Sequence, residues 1–251
     1  MGNHQRCWIW GRHAIIETLR SGRWPIRELH ISDQLSARDT QEVETLAGRA
    51  GVLVHRESSQ RVGQLCGAGD HQGYAAQMPP FPYSRFDISK LQSTDSAANH
   101  VILVLDRIQD PFNLGAIIRS GEFLGFRRFV VGEKSQAEVN SQVVRSSSGA
   151  INHVDIARTA DLAEAVSRCR DAGFQVVGTD QHAAGPIWSA DLSSRLVVVI
   201  GSEGAGMSPE LREQCDGFLA IPKRGRLESL NAAVAAGIVL YEISRQQQTG
   251  R

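Results

Sequence analysis

Three stretches between Asp106 and Ile243 hold the residue types best able to do chemistry. In DRIQDPFNLGAIIRS (Asp106–Ser120), an amide, Asn113, and a guanidinium, Arg119, stand near the start of an apolar-periodic helix. In LVVVIGSEGAGMSPEL (Leu196–Leu211), a carboxylate, Glu203, lies among Gly201, Gly204 and Gly206. In FLAIPKRGRLESLNAAVAAGIVLYEI (Phe218–Ile243), Ser229 and Asn231 precede a long helix of small residues. Glycines let backbone approach a ligand closely and adopt positive φ. Amides, hydroxyls and a carboxylate could orient a nucleophile, and an always-protonated guanidinium could stabilise a developing anion.

Each stretch alone has an ordinary reading. Asn113 is placed to cap a helix that begins at Leu114, and Ser229 to cap the last helix. Arg119 falls off the buried stripe of Leu114, Ile117, Ile118, Gly121 and Leu124, so it is equally a solvated surface residue. It also lies four residues after Gly115, a spacing that lets its side chain lean back toward Asn113. The alanine-rich face of the last helix suits close packing of another element, a second subunit included, or simply reflects alanine's helix propensity.

The elements that must position these residues alternate between strand and helix. Strands are expected at Val101–Asp106, Arg128–Val131, Phe174–Thr179, Leu196–Ile200 and Phe218–Ile221, and helices at Leu114–Leu124, Asp161–Ala172 and Leu230–Arg245. Continuous apolar runs such as VILVL and LVVVI read as strands covered on both faces of a parallel sheet. In such sheets ligands bind beyond the carboxyl ends of the strands, where all three stretches fall. The N-terminal block alternates as well: helices over His13–Arg20, Ser36–Ala50 and Ser58–Cys66, strands over Ile26–Ser32, Val52–Arg56 and Gly73–Met78. The proline run MPPFPY (Met78–Tyr83) and polar QSTDSAAN (Gln92–Asn99) break the chain, giving an α/β block at 1–83, a linker at 84–99 and a second α/β domain at 100–251.

Composition excludes more than it selects. The 251 residues are 41% hydrophobic and 22% charged, with zero formal net charge, so bulk electrostatics announce no nucleic-acid partner. Of 27 basic residues only Lys90, Lys134 and Lys223 are lysine. That arginine bias suits phosphate and base contacts and follows equally from codon usage. No apolar run approaches the roughly 20 residues of a membrane span. Met1–Trp10 lacks a signal peptide's apolar core, and Cys7, Cys66, Cys169 and Cys215 form no C-x-x-C pair. A cytoplasmic protein without membrane or metal partners is the expectation.

Taken together and in order, N-x-G-x-x-x-R, I-G-S-E-G-x-G-M and I-P-x-x-G-x-x-x-S-L-N resemble the three signature motifs of the SpoU/TrmH family of the SPOUT RNA methyltransferases. The resemblance covers about residues 100–247 and extends to GRHAI (Gly11–Ile15) and HQG (His71–Gly73) in a preceding RNA substrate-binding domain of L30e/L7Ae type. It implies a SPOUT catalytic domain with a trefoil knot, S-adenosyl-L-methionine as cofactor, a homodimer, and 2′-O-ribose methylation of ribosomal RNA, a guanosine of 23S RNA. It assigns Gly201, Ile221, Leu230 and Gly206 to the cofactor and Asn113, Arg119, Glu203, Ser229 and Asn231 to the catalytic pocket, with Asn113 and Glu203 positioning Arg119. The chain departs from the family where Lys223–Arg224 follow the Ile-Pro pair and where Ala232–Ala233 follow Asn231. Two alternatives stand beside this reading: a transfer-RNA methyltransferase, and a non-catalytic RNA-binding ribosome factor. A dinucleotide-dependent oxidoreductase would need G-x-G-x-x-G after the first strand of the domain, which is absent.

Overall fold

The computed structural model describes residues 8–89, 101–204 and 206–249, and the chain forms two compact units. The first comprises Met1–Pro82 with Glu138–His153, the second Tyr83–Ala137 with Val154–Arg251. The expected linker at Gln92–Asn99 lies outside the described residues.

In the first unit, strands β1 (Trp8–Trp10), β2 (Glu28–Ser32), β3 (Val54–Glu57) and β4 (Tyr74–Gln77) form one sheet in the order β1-β4-β2-β3. β4 runs antiparallel to β1 and β2, and β2 runs parallel to β3. Helices α1 (Arg12–Ser21), α2 (Ala37–Ala50) and α3 (Ser59–Cys66) cover it. Their limits follow local chemistry. Ser36 and Ser58 accept the amides of Asp39 and Arg61, and Gly22, Gly51 and Gly67 end each helix in the left-handed conformation. Trp8, Trp10, Ala75, Val62 and Cys66 pack between the sheet and α3. A short helix from the middle of the chain, α5 (Ser141–Ser146), also belongs here: it packs on β1, with Arg145 over the Trp10 ring and paired with Asp70.

The second unit is a seven-stranded, wholly parallel sheet. Its strands are β5 (Ser84–Arg85), β6 (Val101–Leu105), β7 (Arg128–Gly132), β8 (Asp155–Thr159), β9 (Gln175–Thr179), β10 (Leu196–Ile200) and β11 (Gly217–Leu219), in the order β11-β9-β10-β6-β7-β8-β5. Ser84–Arg85, inside the stretch expected to be linker, pairs with β8 at the sheet's edge. All residues of β6 and β10 are buried, as two-sided coverage requires. Helices α4 (Pro111–Phe123), α6 (Leu162–Asp171), α7 (Pro209–Arg212) and α8 (Ala232–Thr249) complete the unit. Gly121 is obligatory in α4: a Cβ there would lie 2.7 Å from Cζ of buried Phe129.

Two helix starts differ from expectation. α4 begins at Pro111, capped by Asp110 Oδ1 on the Phe112 amide, because Pro at the first helical position needs no amide partner. Asn113 therefore sits inside the first turn with its side chain released from capping. α8 begins at Ala232, and Asn231 rather than Ser229 caps it, accepting the amides of Ala233 and Val234. The small-residue face of α8 is buried within the chain: Ala232 and Ala236 are covered with Val239, Leu240 and Ile243, and α8 packs on α4.

Candidate active site

The chain leaves β6, builds β7 and β8 on one side, crosses back to lay down β9, and then inserts β10 between β9 and β6. β10 pairs with β6 in register, Leu196 opposite Val101 through Ile200 opposite Leu105. The turns that follow the two strands consequently leave the same end of the sheet side by side.

Asp106, 3% exposed, locks those turns together. Its amide donates to Ile200 O, and its Oδ2 accepts the Ser208 amide at 2.7 Å. Arg107, held at φ +57°, donates from Nε to Asp106 Oδ1 at 3.2 Å and from Nη2 to Gly206 O at 3.2 Å. A left-handed non-glycine residue costs about 1–2 kcal/mol, and the two carboxylate and carbonyl contacts hold it there. Neither Asp106 nor Arg107 belongs to a recognisable motif in the sequence. The available signal was a carboxylate placed directly at the end of a buried strand.

Between Gly201 and Met207 the chain closes a tight loop, with Ser202 and Gly206 exchanging backbone hydrogen bonds at 3.1 and 3.0 Å. Gly206 takes φ +63°. Gly201 is required for a different reason: an added Cβ would lie 2.5 Å from backbone atoms of Gly206 and Met207, which cannot move aside. The loop presents Glu203 at its tip.

The Glu203 carboxylate is where the three stretches meet. Oε1 accepts from Asn113 Nδ2 at 2.9 Å, from Asn231 Nδ2 at 2.6 Å and from the Ala232 amide at 2.8 Å. The Asn231 amide also donates to Asn113 Oδ1 at 2.9 Å, so the three side chains form a closed triangle. The Ala232 amide is the first of α8, where an anion is favoured by the free N–H groups and the helix dipole.

Arg119 lies on the same helix as Asn113, exposed, and among the described residues it makes no hydrogen bond or ion pair. The expectation that Asn113 and Glu203 hold Arg119 is corrected here. Those groups satisfy one another and Asn231, whereas Arg119 points off the buried stripe into solvent. Ser229 is exposed in the stretch before α8, next to Leu230, which is 47% exposed, and Ile221 is half-buried at the start of that stretch. From Ile221 to Leu230, among the described residues, no backbone group hydrogen-bonds to other backbone. Ten carbonyls and nine amides, Pro222 having none, thus remain open to a ligand beside the Glu203 triangle. Lys223, Arg224 and Arg226 are exposed along them.

Comparison with known proteins places these features. The SpoU rRNA methylase family matches residues 100–241, and the RNA 2′-O ribose methyltransferase substrate-binding family matches residues 8–84. YacO of Bacillus subtilis, named for the TrmH family of tRNA/rRNA methyltransferases, is 32% identical over 98% of both chains. An S-adenosylmethionine-bound rRNA methyltransferase from Sinorhizobium meliloti superposes with a TM-score of 0.80 at 27% identity, covering 95% of this chain and 87% of that one. The TrmH/SpoU tRNA-modifying enzyme of A. aeolicus superposes with a TM-score of 0.55 at 26% identity, covering 65% of this chain and 83% of its own.

The two loop glycines separate steric from conformational demand. Gly201→Ala drives a Cβ into backbone and is expected to destabilise the chain by about 1–3 kcal/mol in urea denaturation. Gly204→Ala meets nothing within 4 Å and should change stability by less than about 0.5 kcal/mol. Equal effects of the two substitutions would contradict the close passage.

Proposed function

The chain belongs to the SpoU methylase family of S-adenosylmethionine-dependent RNA 2′-O-ribose methyltransferases, and from that premise we propose that its acceptor is a guanosine ribose in 23S ribosomal RNA. The observation that carries the placing of methyl transfer is the Glu203 triangle, which draws the three chemistry-bearing stretches into one place. Two features favour ribosomal RNA. The substrate-binding match accounts for the N-terminal block, and the neighbour named as an rRNA methyltransferase covers nearly the whole chain, while the one named as a tRNA-modifying enzyme covers 65% of it.

The residues present fit the cofactor. An open backbone run, with the Gly201–Gly206 loop beside it, offers the unpaired amides and carbonyls that an adenosyl and an amino-acid moiety need. Gly201, Gly206, Ile221 and Leu230 would hold it, and the turns after β10 and β11 are the segments that the family's trefoil knot would comprise. When bound, S-adenosylmethionine supplies an electrophilic methyl on a sulfonium whose charge vanishes on transfer. The protein must align a ribose 2′-hydroxyl with it and lower the cost of the oxyanion that develops. Arg119 stays protonated and so does not serve as a base. Its guanidinium, unclaimed within the chain, orients the ribose and its phosphate and stabilises the alkoxide. Asn113, Glu203 and Asn231 fix the pocket wall, and Ser229, exposed beside them, faces the acceptor.

A second copy of the chain completes the assembly. Val234, Ile238 and Tyr241 recur at helical spacing on the outer face of α8 and are 52%, 38% and 62% exposed. An isologous two-fold contact covers such a stripe in both copies at once. Among the described residues no helix is long and apolar enough to cross a membrane, and a cytoplasmic location suits the free, buried thiols of Cys66 and Cys169, the latter pushed up to about 12 by burial.

Arg119→Ala should lower methyl transfer to ribosomal RNA by about 10²–10³-fold, the scale for losing one oxyanion-stabilising group. Equilibrium dialysis should find cofactor affinity within about threefold of wild type. Retained transfer contradicts the assignment, and label appearing only in transfer RNA contradicts the choice of substrate. Ile238→Asp should sediment as a folded, inactive monomer; a wild-type chain that is monomeric at micromolar concentration overturns the two-fold reading.

A further inference from the structure

Far from the methyl-transfer residues in sequence, the first unit carries a second cluster of chemistry-bearing side chains. β2 and β3 pair in parallel with His30 opposite His55, so Glu28, His30, His55 and Glu57 all fall on one face of the sheet. The two imidazoles stack with centroids 4.8 Å apart and planes 18° from parallel. His30 is 8% exposed, with the Trp8 ring tilted against it at 5.6 Å.

Burying an imidazole among aromatic rings is costly unless its nitrogens are satisfied. Yet both His30 ring nitrogens are buried, and neither has a hydrogen-bond partner. Each instead faces a carboxylate just beyond hydrogen-bond range: Nε2 lies 3.5 Å from Glu28 Oε2, and Nδ1 lies 3.7 Å from Glu57 Oε1. One ligand atom each from Glu28, His30 and His55 lies within 4.8 Å of the others.

We propose that Glu28, His30 and His55 bind a divalent transition metal of the zinc class, with Glu57 orienting His30 from its far nitrogen. Two imidazoles and a carboxylate are a ligand set that such an ion takes, leaving a fourth position to water. In a tetrahedral site with metal–ligand distances of about 2.1 Å, donors stand roughly 3.4 Å apart. The cluster therefore has to contract by up to about 1.4 Å, and the stacked His55 ring has to turn so that its in-plane lone pair meets that of His30 at the ion. The groups that must move can do so, since the Glu28 side chain is 51% exposed and His55 sits on the edge strand. A carboxylate on the second nitrogen of a metal-bound histidine fixes its tautomer and raises its basicity, and Glu57 stands in that place. The ion supplies the partner that buried His30 lacks and ties the edge strand β3 to β2. The cysteine spacing that argues against a zinc knuckle is silent about this site, because strand register brings the ligands together.

The full-length chain, stripped with chelator, tests this with Zn²⁺ and Co²⁺ alone. One ion is expected per chain, with a Co²⁺ visible spectrum of nitrogen and oxygen ligation and a raised melting temperature. His55→Gln and Glu28→Gln should weaken binding by at least about tenfold, and Glu57→Gln by about tenfold. Exposed His182, in the other unit, serves as control: His182→Gln should leave binding unchanged. The Glu28 and His55 substitutions replace exposed or half-buried groups, so circular dichroism can verify folding without touching His30. Absence of binding at 100 μM metal overturns the proposal. So does binding that the Glu28 and His55 substitutions leave intact, and so do His30 NMR signals that added metal does not move.

Discussion

The register between β6 and β10 is the constraint from which the rest of the site follows. Both strands are apolar on both faces, and such runs specify register poorly, because sliding one past the other keeps every side chain in an apolar setting. The polar pin at their ends does the specifying. Asp106 takes the Ile200 carbonyl with its amide and the Ser208 amide with its carboxylate, so only one alignment satisfies a buried charge. A slip of two residues would carry the Glu203 turn about 6.6 Å along the sheet, well beyond hydrogen-bond reach of Asn113. A buried carboxylate left without its partners would be strongly destabilising, which makes the correct register the cooperative one.

On that frame sit two kinds of structure with different jobs. The turn after β10 is braced: Ser202 and Gly206 exchange backbone hydrogen bonds, Gly201 lies against Gly206 and Met207, and Arg107 holds Gly206 O. The 221–230 stretch, by contrast, leaves its backbone unpaired among the described residues. The first braces the Glu203 side chain against Asn113 and Asn231, and the second leaves backbone donors and acceptors free. Arg119 lies on α4, exposed, and among the described residues no group pairs with its charge.

Much of this was legible in the residues because local physics wrote it there. VILVL and LVVVI gave buried parallel strands, the Ser36, Ser58 and Asp161 caps set helix starts, and Arg119 fell off its helix's apolar stripe. What was not legible had non-local causes. Asn113 has the type and position of a helix cap, and only the return of the chain after β10 shows that its partner is Glu203. Ser229 is likewise a good cap in sequence, but Asn231 takes the role because it alone also reaches Asn113 and Glu203. The strand at Trp8–Trp10 is three residues long, and Asp155–Thr159 reads DIART, with neither strict alternation nor a continuous apolar run, so neither has a periodicity that stands out. Ser141–Ser146 declares neither a helix of useful length nor its place with the N-terminal block.

The central claim is that Asn113, Glu203 and Asn231 act as one unit. A double-mutant cycle with Asn113→Ala and Asn231→Ala, read as kcat/KM for methyl transfer to ribosomal RNA, tests it most directly. Strong non-additivity is expected: either substitution breaks the triangle, and the double substitution costs little more than one, with a coupling energy of about 1–3 kcal/mol. Losses that simply multiply, with coupling near zero, would show that the three side chains meet in space without sharing a function.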